Sequence, residues 1–156
     1  MDKNSYEIRP IKQCEWEDAM NLAWDTFLLY EAPEYSMLGV HNFKKFVKDP
    51  ILKKMFLSGE YYAVGAFVND RIVGIISVRS LHHISLLFVD TDFHKKGIAT
   101  ALMKRCIRDV RLKGESYLTV NASPYAVGFY HKIGFIDLTE ETEKDGIKFT
   151  PMKLQL

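Results

Sequence analysis

Two apolar runs, Tyr61 to Val68 and Ile72 to Val78, stand either side of Asn69-Asp70-Arg71, and this arrangement constrains the chain most. Runs rich in aromatic and β-branched residues, joined by so short a polar turn, spell a β-hairpin. A third run, His83 to Val89, follows Ser80-Leu81-His82, so three strands lie consecutively in mid-chain. Helical periodicity lies on both sides of them. Trp16, Met20, Ala23, Trp24, Phe27 and Leu28 recur at three- and four-residue spacing. Phe43, Phe46 and Val47 mark a second helix, broken at Asp49-Pro50, and Ile51, Leu52, Met55 and Phe56 continue it to Ser58-Gly59.

Beyond the three strands, Ile98, Ala101, Leu102, Cys106, Ile107 and Val110 share a helix face that stops at Lys113-Gly114. Ser116 to Asn121 reads as a strand and Pro124 to Lys132 as a helix, with Ser123 as its N-cap and Pro124 at its first position. Phe135 to Leu138 and Ile147 to Leu154 close the pattern as a strand pair, and Tyr6 to Ile11 opens it as a short strand. Glu31 to Gly39 is the least regular linker of the N-terminal half. The order predicts an α+β fold with a mixed sheet.

The chain of 156 residues has room for one domain, spanning 1–156. Hydrophobic residues at 47% and charged residues at 26% exclude a disordered or fibrous chain. A net charge of +1 gives no reason to expect nucleic acid or an anionic membrane as partner. Cys14 and Cys106 form no C-x-x-C pair, so neither a disulfide framework nor a zinc knuckle is expected. The histidines show no i,i+4 pairing that would hold a metal. Charges fill the N-terminus where a signal peptide needs an apolar run, and no stretch reaches the roughly 20 apolar residues of a membrane span. These features predict a cytoplasmic location.

The chemistry concentrates in Leu86-Leu-Phe-Val-Asp-Thr-Asp-Phe-His94-Lys-Lys-Gly97-Ile-Ala99-Thr100, where a strand ends, a loop turns and a helix begins near Gly97. A helix start leaves N–H groups unpaired and carries the positive end of the dipole, which suits a phosphate. An ordinary strand–turn–helix is the alternative. No G-x-x-x-x-G-K-[ST], G-x-G-x-x-G or G-x-S-x-G motif occurs.

The segment His94-Lys-Lys-Gly97-Ile-Ala99 resembles the pyrophosphate loop [Q/R]-x-x-G-x-[G/A] of the GNAT superfamily of acyl-CoA-dependent N-acyltransferases, with His in place of Gln or Arg. Downstream, Val120-Asn121-Ala-Ser123-Pro-Tyr-Ala126-Val-Gly-Phe129-Tyr130-His-Lys-Ile-Gly134-Phe135 is similar to the family's strand, Asn, Tyr-bearing helix and Gly-Phe turn. The ending Gly146 to Leu154 is like the last strand of many members. Together these cover roughly the C-terminal half.

The resemblance implies a GNAT fold: a mixed, mostly antiparallel central sheet with helices on both faces. It implies acetyl-CoA as co-substrate and an amine as acceptor. The backbone of Leu87, Phe88 and Val89 would meet the pantetheine arm. The amides of His94, Lys95, Lys96, Gly97, Ile98, Ala99 and Thr100 would cradle the pyrophosphate. Asn121 would bond the cofactor where two parallel strands splay, and Tyr130 would protonate the leaving thiolate as general acid. A phenol titrating near 10 keeps its proton for that task at neutral pH; simple packing is the other reading of Tyr130.

An alkyl ammonium must lose a proton before it attacks, and the position of a strand base in some members falls on His83. A half-exposed strand histidine without a role is the alternative. Glu31, Glu34, Tyr30 and Tyr35 lie on the expected acceptor side, where carboxylates with aromatics suit a cationic amine; a plain surface loop is the bland reading. An acyl-CoA-binding module without turnover and an acetyltransferase acting on charged tRNA remain as rival readings, the latter weakened by the near-neutral charge. Many members dimerise, so a homodimer is a possible assembly.

Overall fold

Asn69 (φ 50°) and Asp70 (φ 63°) both take left-handed conformations, forming the two-residue turn whose twist matches that of the strands it joins. It connects β2 (Tyr62–Val68) to β3 (Arg71–Arg79) in a computed structural model that describes residues 5–156. Every residue of β3 between its two arginines is buried, as befits a strand with helices on both faces. β1 (Glu7–Pro10) pairs with β2, and β4 (His83–Val89) pairs antiparallel with β3. β5 (Tyr117–Ala122), β6 (Ile136–Asp137), β7 (Thr142–Lys144) and β8 (Ile147–Gln155) build the other side. The strand order is β1-β2-β3-β4-β5-β8-β6, with β7 paired to β8. Every pairing is antiparallel except β4 with β5.

Three helices cover one face: α1 (Trp16–Tyr30), α2 (Met37–Val47) and α3 (Pro50–Leu57). α1 turns Trp16, Ala19, Met20, Ala23 and Phe27 onto Ile75, Leu86 and Phe88 of the sheet. The opposite face carries α4 (Ile98–Leu112), whose Ile98, Leu102, Met103, Cys106 and Val110 meet Val64, Val73 and Ile76. The predicted mixed sheet with helices on both faces is the observed fold.

One exception to the ladder matters for function. Ser77 pairs with Leu86 and Val78 with Ile84, so Ser85 is an extra residue, a β-bulge in β4. Tyr61 holds it there: its hydroxyl donates to Ser77 Oγ at 2.6 Å and lies 2.6 Å from Ser85 Oγ. On its other edge β4 keeps only two residue pairs with β5, His83↔Thr119 and Ile84↔Val120. Beyond Ile84 the two parallel strands part.

Two local expectations change. The irregular linker is shorter than predicted: a 3-10 turn at Ala32–Glu34 follows α1, and Ser36 caps α2 by accepting the Gly39 N–H at 3.2 Å. The helix expected from Pro124 is α5 (Val127–Ile133), starting three residues later. The Ser123 carbonyl accepts from Ala126 and Val127, making residues 123–126 a turn, and the Ser123 side chain makes no cap.

The turn between β7 and β8 docks on the start of α2, where Ser36 N–H donates to the Gly146 carbonyl at 3.1 Å. A Cβ on Gly39 would lie 2.5 Å from that carbonyl oxygen, so only glycine allows the approach. Gly39→Ala is expected to destabilise the protein by about 1–3 kcal/mol through overpacking. A lower urea midpoint with an unchanged slope is the check; an unaltered midpoint would show that the turn simply moves aside.

Candidate active site

Where β4 and β5 part, a cleft of about 610 Å³ opens between the end of β4, the start of α4, the end of α1 and α5. Leu87, Phe88 and Val89 line it from β4. His94, Lys95, Gly97, Ile98, Ala99 and Thr100 line it from the following loop and helix. Tyr130 lines it from α5. The structure thus brings together ten of the predicted cofactor-binding and catalytic residues, along with Tyr30 and Glu31 from the predicted acceptor side.

The loop is shaped by two left-handed residues, Lys95 (φ 61°) and Gly97 (φ 77°), a geometry that gathers N–H groups into a concave surface. Among the described residues, the N–H groups of Gly97, Ile98, Ala99 and Thr100 make no backbone hydrogen bond. They sit at the positive end of a 15-residue helix, a donor set that fits a pyrophosphate. His94, which stands where Gln or Arg was expected, folds back: its Nε2–H donates to the Val89 carbonyl at 2.7 Å and ties the loop to the end of β4.

Tyr130 is 4% exposed, its ring packed edge-on against Phe129 and Phe135. Its hydroxyl has no hydrogen-bond partner among the described residues. Burial pushes the phenol well above its ordinary titration range, and the Glu31 carboxylate pushes it further. Tyr130 therefore stays a neutral donor at any working pH.

Three of the predicted cofactor-binding and catalytic residues stand apart from the lining. The Lys96 amine lies 5.6 Å over the Phe93 ring. Asn121 is exposed, immediately beyond the last parallel pair of β5 and opposite Pro151 of β8. His83 begins β4, four residues before Leu87, which puts it roughly 13 Å along the strand from the lining. Its Nδ1 is 2.8 Å from Thr119 Oγ1, and burial, Arg79 and His82 lower its titration to about 4. Neutral but weakly basic and away from the cleft, His83 is not brought to Tyr130.

The side of the cleft facing α1 carries more than the sequence suggested. Tyr30 stacks 4.9 Å from His94 and 5.1 Å from Tyr125, and its hydroxyl donates to Thr91 Oγ1 at 3.2 Å. Next to it Glu31 lines the cleft, while Glu34 is exposed outside it. Tyr35 donates to Glu31 Oε1 at 3.5 Å. Ser123 Oγ approaches closely enough to favour the charged carboxylate, yet reaches no good hydrogen-bond geometry and has no other partner. Burial dominates and raises Glu31 from the usual 4.5 to about 7. Tyr125 and Phe129 were missed in the sequence; their clustering with Tyr130 within six residues, across a turn and the start of α5, was the available signal.

The raised carboxyl has a consequence for folding. The folded state holds the Glu31 proton to higher pH than the unfolded chain, so stability falls as pH rises from about 4.5 to about 7. Glu31→Gln removes that cost. The variant is expected to match wild type at pH 4 and exceed it at pH 8 by on the order of 1–3 kcal/mol, discounted for remaining solvent contact. Urea titrations at both pH values check this; an equal gap at both would contradict it.

The split sheet beside a helix N-terminus belongs to a fold shared with solved N-acetyltransferases. The crystal structure of a GCN5-related N-acetyltransferase from Rhodopseudomonas palustris superposes with a TM-score of 0.83 at 22% identity, over 100% of this chain and 99% of that one. The PaiA N-acetyltransferase of Thermoplasma acidophilum, solved with coenzyme A, gives 0.79 at 21% identity, over 97% and 99%. In sequence, the uncharacterized N-acetyltransferase YafP of Escherichia coli (strain K12) is 41% identical over 86 residues, 54% of this chain and 53% of that protein. The matched stretch spans about half of that relative's length. The model of the acetyltransferase (GNAT) domain matches residues 31–156, and the chain belongs to that family. Among the described residues no helix is long and apolar enough to cross a membrane.

Proposed function

We propose that this protein transfers the acetyl group of acetyl-CoA to a primary amine by direct attack, as one catalytic unit over residues 1–156, with Tyr130 as general acid. The observation that carries the reading is the meeting, in one cleft, of the unpaired N–H groups at Gly97–Thr100 with the buried Tyr130 hydroxyl. The coenzyme A found in the Thermoplasma acidophilum relative supports it.

Bound acetyl-CoA supplies the thioester carbonyl that the amine attacks. The remaining tasks fall to the chain. The N–H groups of Gly97 to Thr100 hold the pyrophosphate at the helix start, while the expected His94 N–H is taken by the Thr91 carbonyl at 3.2 Å. Leu87, Phe88 and Val89 offer the backbone groups that β5 leaves free, for the pantetheine arm. Asn121 anchors the point of divergence. Tyr130 gives its proton to the sulfur as negative charge gathers there. Burial lets its neutral form persist until that moment.

The test is coenzyme A thiol release from acetyl-CoA against polyamines, amino acids, aminoglycosides, and peptides with free lysine or N-terminal amines. Calorimetry with acetyl-CoA runs beside it. Amine-dependent release with saturable binding is the expected result. Binding without release from any amine would favour an acyl-CoA-holding module, and neither would overturn the reading.

A further inference from the structure

We infer that Glu31, at the end of α1, is the catalytic base: its carboxylate takes the proton from the acceptor's ammonium inside the cleft, opposite Tyr130. This deepens the proposed acetyl transfer and rests on it. An ammonium cannot attack a carbonyl until its lone pair is free, so a proton acceptor must face the nucleophile while a donor faces the leaving group. Glu31 and Tyr130 line the same cleft and are near enough for the carboxylate to disfavour the phenolate. They come from elements on different sides of it, α1 and α5.

The surroundings suit the task. Tyr30 and Tyr125 supply aromatic walls beside the carboxylate, a setting that accepts a cation with little desolvation cost. Tyr35, donating to Oε1, orients the carboxylate. Ser123 Oγ is a buried polar atom with no partner, 5% exposed as a residue, positioned where it stabilises the charged form. The titratable groups around Glu31 are Tyr30 at the end of α1, Tyr35 from the turn after it, Tyr125 and Tyr130 from the β5–α5 segment, and His94, Lys95 and Lys132 elsewhere in the cleft wall. Burial brings Glu31 to about 7, so it is half charged at neutral pH and far more basic than an ordinary carboxylate. A residue kept only to bind a cation gains nothing from losing its charge; a base does.

The proton balance closes. Glu31 takes one proton from the ammonium. The N–C bond forms as the C–S bond breaks, and sulfur takes the Tyr130 proton. The second nitrogen proton leaves to water, Tyr130 recovers one from water, and Glu31 releases its own to solvent. Each acetylated ammonium therefore yields one net proton.

The experiment measures kcat and kcat/KM from pH 5.5 to 9.5 for wild type, Glu31→Gln, Glu31→Asp and Glu34→Gln, with spermidine, a lysine peptide and aniline as acceptors. Wild type is expected to show kcat/KM for the alkyl amines rising tenfold per pH unit to an inflection near 7. Glu31→Gln should lose that inflection, climb instead toward the pKa of the amine, and fall about a hundredfold or more in kcat at pH 7. Aniline, already neutral, should suffer less than about tenfold. Glu31→Asp should keep the inflection at reduced kcat, and Glu34→Gln should match wild type. Acetyl-CoA affinity of Glu31→Gln by calorimetry should equal wild type, showing that the fold is intact. An inflection retained in Glu31→Gln, or a loss confined to KM, would overturn the assignment. No amine-dependent release by wild type would instead sink the transferase reading itself.

Discussion

Tyr130→Phe is expected to lose about 10²- to 10⁴-fold in kcat while binding acetyl-CoA as wild type does. The substitution deletes one oxygen and keeps the ring, whose centroid lies 5.4 Å from Phe129 and 5.2 Å from Phe135. No protein partner is orphaned, because the hydroxyl bonds to none among the described residues. Stability should therefore change little, and the lost rate, about 3–5 kcal/mol of barrier, would report chemistry alone. The loss should be the same from pH 6 to 9, because burial keeps the phenol neutral throughout. A kcat within threefold of wild type would return Tyr130 to the rank of a packing residue. Thiol release and acetyl-CoA calorimetry on the same preparation decide it.

The largest structural effect is expected from Leu102→Ala. Leu102 is 0% exposed and lies in mid-α4 against β3. A Cβ placed on Gly74 would be 3.1 Å from Leu102 Cδ1, so helix and strand already touch closely there. The helix cannot settle further to fill the hole, which favours the upper part of the 2–5 kcal/mol range for such truncations. Against about 5–15 kcal/mol of total stability this is a heavy loss. Because α4 also presents the N–H groups of Ile98 to Thr100, acetyl-CoA affinity should drop with it. Urea unfolding with an unchanged slope and a cost below 1 kcal/mol would show that the core reorganises around the gap.

What could be read in the chain was local. The Asn69-Asp70 turn, the alternation within α4 and the glycine opening it depend on neighbours in sequence, and each stands where expected. The cofactor side of the cleft is one continuous segment from Leu87 to Thr100, so it too was legible. The acceptor side was legible only in part: Tyr30 and Glu31 were placed there, but their meeting with α5 joins the end of α1 to residues about a hundred positions away. Glu31 was placed on the acceptor side, with a plain loop carboxylate as the alternative, but its burial and its nearness to Tyr35, Ser123 and Tyr130 could not be read from its neighbours in sequence. Ser123-Pro124 carried a sound helix-start signal, yet the serine carbonyl closes a turn and α5 begins later. His83 was placed by resemblance to the strand base of some family members, and that register does not say at which end of β4 the sheet opens.

That opening has a mechanical meaning. Among the described residues two pairs, His83↔Thr119 and Ile84↔Val120, form the seam between the sheet's halves, and past them β4 shows an unsaturated rim in the middle of the protein. Sheets ordinarily cover or charge such a rim to repel intruding strands. On the proposed function it is a berth, and an extended ligand laid along it would act as a temporary ninth strand. Substrate loading and completion of the architecture are then one event, so the empty protein should breathe about its seam. Saturation with acetyl-CoA should slow amide exchange at Leu87 to Val89 and raise the melting temperature with the logarithm of ligand concentration.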